Sequence, residues 1–92
     1  MKKKIYIVHT AQFYENSGEL ITFAKAFPTL EKAAKFIVKD YNTMATQNDA
    51  EDTALPKDEW KSIAKRQGIE SPGEDQWDGW VKWEITANTI EV

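Results

Sequence analysis

FPTLEKAAKFIVKDYNTM, residues 27–44, is the stretch whose reading decides the fold, because its apolar spacing specifies one structure without help from its neighbours. Leu30, Ala33, Ala34, Ile37, Val38, Tyr41, Met44 and Ala45 recur at the i, i+3, i+4, i+7 intervals of one helical face, while Glu31, Lys32, Lys35, Lys39 and Asn42 fall on the other. The spacing predicts an amphipathic helix. Thr29 is placed to cap it, and Glu31 lies in the first turn, where the helix dipole favours a negative charge. Pro28 holds the preceding chain out of the helix.

Working upstream, Leu20 to Ala26 is strand-like. It sets Leu20, Thr22, Ala24 and Ala26 on one face and Ile21, Phe23, Lys25 and Phe27 on the other. Glu15–Glu19 (ENSGE) is a turn cluster, since Asn and Gly accept the positive φ of a tight reversal, and it predicts a hairpin. The partner strand is Lys4–Ala11 (KIYIVHTA), rich in β-branched and aromatic residues and free of Gly and Pro. Both of its faces begin apolar, the pattern of a central strand.

Downstream of the helix, ATQNDAEDTA (45–54) has no apolar period and reads as a loop, the segment expected to be most mobile and the first cut by a protease. Pro56 suits a first helical position, Trp60, Ile63 and Ala64 give a short apolar stripe, and Gly68 is placed for a left-handed cap, so a second helix is expected. Ile69–Gln76 is a turn-rich connection. Trp77–Thr86 (WDGWVKWEIT) returns to strand composition, with Trp77, Val81, Trp83 and Ile85 on one face and Asp78, Trp80, Lys82 and Glu84 opposite. Asn88–Val92 either continues that strand or folds back on it. The order β-β-α-α-β predicts an α+β fold: a small, mainly antiparallel sheet of three or four strands with both helices on one face. Residues 1–92 make one domain, since 92 residues leave no room for a second core.

Composition narrows the chemistry. Without cysteine there is no disulfide, thiolate metal site or thiol nucleophile. Ile5–Val8 is too short for the core of a signal peptide despite the lysines before it, so the expectation is a cytoplasmic chain that does not span a membrane. Residues 1–39 carry seven lysines against three glutamates, and residues 40–92 carry five basic against twelve acidic residues, an asymmetry inside a net charge of −3. Solvated faces of small domains carry charge in uneven lots, so the asymmetry alone names no partner.

His9, the only histidine, lacks companions at metal-ligand spacing, and no G-x-S-x-G, P-loop or G-x-G-x-x-G is present. The expectation is therefore no catalytic residue, no metal and no cofactor. Three of the four tryptophans (Trp77, Trp80, Trp83) crowd into seven positions, and alternation sends Trp80 to the face opposite the other two. Core is the default reading for Trp83, between Val81 and Ile85. Trp80 reads either as core or as an interface anchor flanked by Asp78 and Lys82. The favoured function is thus a non-enzymatic protein-interaction or accessory module that uses Trp80, Lys82 and Asp78, with a protein partner or self-association. The alternative is a nucleic-acid-associated protein using Lys32, Lys35 and Lys39, aided by Lys2–Lys4. The acidic series Asp49, Glu51, Asp52, Glu70, Glu74, Asp75 and Asp78 suggests a duplex decoy, but a net −3 is mild for that role.

Overall fold

The predicted helix forms as its spacing requires. In a computed structural model that describes residues 1–73 and 76–92, α1 runs Leu30–Gln47, and the Thr29 hydroxyl accepts the backbone N–H of Lys32 at 3.1 Å. Its buried residues are Ala33, Ala34, Ile37, Val38, Tyr41, Met44 and Ala45, the apolar stripe of the sequence. Each large side chain so buried contributes about 1.5–3 kcal/mol relative to exposure.

The chain is an α+β domain. Strands β1 (Lys2–Tyr14) and β2 (Glu19–Phe27) form the hairpin, α2 (Trp60–Arg66) follows α1, and β3 (Gly68–Glu70) and β4 (Trp80–Glu91) complete a sheet ordered β2-β1-β4-β3. Every pairing is antiparallel, and β1 is central as expected. β4 continues through Glu91 instead of folding back, and the Val92 N–H donates to the Met1 carbonyl at 2.9 Å. β3 lies in the stretch read as a connection. Three residues are too few to show alternation, which is why it was not legible. Glu74 and Asp75, part of that connection and of the acidic series, lie outside the described residues.

The core is built on one sheet face. Val8, Val81, Trp83 and Ile85 meet Ile37, Tyr41 and Ile63 from the helices. Tyr41 packs against two indoles, 4.9 Å from Trp77 and 5.4 Å from Trp83, and burial pushes its phenol pKa up. Both indole N–H groups are satisfied. Trp83 Nε1 donates to Asp40 Oδ2 at 2.9 Å and Trp77 Nε1 donates to Thr53 Oγ1 at 3.1 Å. The Thr10 hydroxyl is buried with no partner among the described residues.

Two sequence expectations are revised. Residues 45–54 are not an irregular loop: they hold the last turn of α1, a buried Ala50 and a 3-10 turn at Glu51–Thr53. Asn42 clamps the Leu55 backbone at both N–H (2.7 Å) and C=O (3.0 Å), and Asn48 accepts the Asp78 N–H at 3.1 Å. These are side-chain bonds to distant backbone, which leave no periodic mark. The left-handed cap of α2 falls on Gln67 (φ 61°), one residue before Gly68. Gly68 serves packing instead, since a Cβ there would lie 2.4 Å from the Trp83 carbonyl oxygen.

Candidate functional site

With α1 and α2 on one face, the opposite face of the sheet carries no helix among the described residues and is called the bare face, and antiparallel register places its side chains in rows. Leu20, Phe13 and Trp80 form one row across β2, β1 and β4; Thr22, Ala11, Lys82 and Glu70 form the next, reaching β3; Ala24, His9 and Glu84 form the third. The first row is the apolar one. Trp80 is 41% exposed and Leu20 57%, and the Trp80 ring stacks on Phe13 at 5.9 Å between centroids and 22° between planes.

Gly79 sets that stack. It has φ 73°, and a Cβ on it would fall 1.8 Å from the Phe13 carbonyl oxygen, so only glycine lets β4 begin this close against β1. Trp80 therefore starts β4 on the bare face, while Trp77, which lies before the strand and not in it, turns back into the core beside Trp83.

The predicted trio is only partly brought together. Lys82 shares the face of Trp80 and sits 3.2 Å from the Glu84 carboxylate, an exposed pair of small energetic weight. Asp78 does not join them. The alternation expected to align it stops at Gly79, and Asp78 lies in the preceding turn, where its carboxylate accepts from Asn16 Nδ2 at 3.3 Å. Phe13 and Leu20 are the residues that sequence reasoning missed. The signal was there, because alternation in β1 runs on past Ala11 to Phe13, and closing the hairpin on ENSG pairs Phe13 with Leu20. His9 is exposed on the bare face, its Nε2 3.0 Å from Thr86 Oγ1.

Lys32, Lys35 and Lys39 occupy the outer side of α1 as expected. Lys35 is already engaged, 2.7 Å from the Glu31 carboxylate and 5.2 Å over the Trp60 ring. Lys35, Lys39, Lys57 and Lys61 flank a shallow groove over Trp60 and Val38, with Asp58 also on its wall, and Lys32 does not line it. Among the described residues no group of three His, Asp or Glu side chains could hold a metal ion, and no helix is long and apolar enough to cross a membrane. No protein-family model, curated protein or solved structure matches the chain.

Proposed function

We propose that this chain is a non-enzymatic interaction module that binds a protein partner through the bare sheet face, with Trp80 as the anchor. The supporting observation is the half-exposed indole held flat on Phe13 beside exposed Leu20. A rigid aromatic with little rotamer entropy left to lose, rimmed by the polar Lys82–Glu84 pair, has the makeup of an interface hot spot. We propose the cytoplasm as its compartment, on the ground that the apolar run Ile5–Val8 behind the lysines is too short for the core of a signal peptide. The test is affinity capture from the native cell with wild type beside Trp80→Ala, followed by titration of the recovered protein in pure form. Trp80→Ala is expected to weaken that binding by at least tenfold with the fold intact; equal affinity for both proteins removes the anchor and the reading with it.

The lysine groove over Trp60 supports a second reading, nucleic-acid association through Lys35 and Lys39 with Lys32 nearby. Titration with mixed DNA and RNA at low and high salt tests it, because phosphate contacts weaken steeply as salt rises. Binding that ignores salt, or no binding at low salt, rejects it.

A further inference from the structure

The strand at one side of the sheet is long and exposed. β2 ends the strand order, and all of Glu19–Ala26 is exposed. The ladder fixes which of its backbone groups are free. The Ile85 N–H donates to Gln67 and the Val81 carbonyl accepts from Ser71, so odd-numbered residues of β4 bond outward and even-numbered ones bond to β1. The unbroken registers then carry this alternation across β1, where the Tyr14 carbonyl accepts from Gly18, and into β2. Leu20, Thr22, Ala24 and Ala26 are left with N–H and C=O pointing away from the sheet. The usual protections of an edge strand are missing, for β2 has no proline and no bulge, and Lys25 is the only charge between Leu20 and Phe27.

We propose that the β2 edge is a self-recognition surface, pairing antiparallel with β2 of a second copy of this chain about a twofold axis at Thr22. Charge and shape select this register from the few that antiparallel geometry permits. Outward-bonding residues must face each other, so registers differ by steps of two residues. With Thr22 opposite itself, Glu19 faces Lys25 of the second copy at both ends, and Ile21 faces Phe23 on both sides of the axis. These fall in the non-hydrogen-bonded positions where cross-strand side chains stand closest. Shifting the axis to Phe23 puts Lys25 opposite Ile21 and leaves both charges unmatched. The chosen register also covers Phe23, 42% exposed, and forms about six main-chain hydrogen bonds. Lys25, whose ammonium now lies 5.0 Å over the Phe36 ring, gains a carboxylate partner. The occupant is a second copy because the two charges of this one strand complement each other only when it is reversed against itself. The surface is an edge, so it stands apart from the reading of the Trp80 face.

The test is sedimentation equilibrium over a concentration series. Wild type is expected to reach twice the chain mass. Thr22→Pro, which removes an outward N–H and leaves the β1–β2 ladder bonds in place, is expected to stay monomeric while keeping a cooperative melt in dilute solution. Lys25→Glu is expected to weaken the dimer at least tenfold, and Glu19→Lys combined with Lys25→Glu to restore it, an outcome that general stickiness would not give. Since the chain has no cysteine, Thr22→Cys is expected to oxidise to a covalent dimer and Phe23→Cys to stay single. A wild type that remains monomeric at its highest soluble concentration overturns the proposal. So does a dimer that survives Thr22→Pro but is lost in Trp80→Ala, which would make the bare face the contact. Faster cross-linking of Phe23→Cys than of Thr22→Cys overturns the register.

Discussion

Trp83 and Trp80 stand three residues apart on β4, yet the first is fully buried and the second is 41% exposed. On the covered face Trp83 is fitted by Tyr41 and Trp77 and its N–H is bound by Asp40. On the bare face Trp80 has Phe13 as its aromatic neighbour. The difference teaches that hydrophobic content does not decide burial in a sheet this small. Helices cover one face, and a large ring on the other is held in place by a neighbouring strand.

The largest break in that contrast is on the covering helix itself. Ile37→Asp puts an unpaired charge where the side chain is fully buried and is expected to abolish folding, while Lys35→Asp on the outer side of α1 should leave a cooperative melt. If the two melt alike, α1 does not supply the cover. Trp83→Ala is expected to cost about 3–5 kcal/mol in denaturant unfolding, against about 1 kcal/mol for Trp80→Ala, mostly the lost stacking on Phe13. The reverse order would exchange the two faces.

Gly79→Ala sharpens the contrast at the point where the faces divide. Strain at φ 73° and the clash with Phe13 should destabilise by on the order of 3 kcal/mol, with a loss of the Trp80 near-ultraviolet signal as the stack opens. The smallest effect is expected at Thr10→Val. Removing a buried hydroxyl that has no partner among the described residues should leave stability unchanged or raise it by about 1 kcal/mol, read as a shift in the denaturation midpoint. A loss of that size would mean the hydroxyl is bonded after all.

What the sequence made legible was whatever repeats along the chain. The stripe from Leu30 to Ala45, the Thr29 cap and the alternation that separates Trp80 from Trp83 are local periodicities, and each stands in the structure where it was read. Features made by two distant segments left no such trace. Gly79 needs the Phe13 carbonyl to explain it, Gly68 needs Trp83, and Asn42 needs Leu55 thirteen residues on. The candidate site divides along the same line. Trp80, Lys82 and Phe13 lie on one face by alternation, Phe13 once the β1 alternation is carried past Ala11, whereas Asp78 was misplaced because the turn at Gly79, which ends the alternation, depends on the approach of the Phe13 carbonyl.

The central pair of the sheet joins the two ends of the sequence, residues 2–13 with residues 80–91. In time, this means the middle of the fold is built last. The β1–β2 hairpin and α1 rest on short-range contacts and can form early, but β1 keeps an unpaired edge until the final dozen residues of β4 arrive and close a loop spanning most of the chain. The part of the core that β4 supplies, Val81, Trp83 and Ile85, therefore waits for that non-local pairing. Folding should run at the slow pace of non-local β pairing, not the fast pace of its helices, and until β4 docks the hairpin presents two open edges to anything nearby.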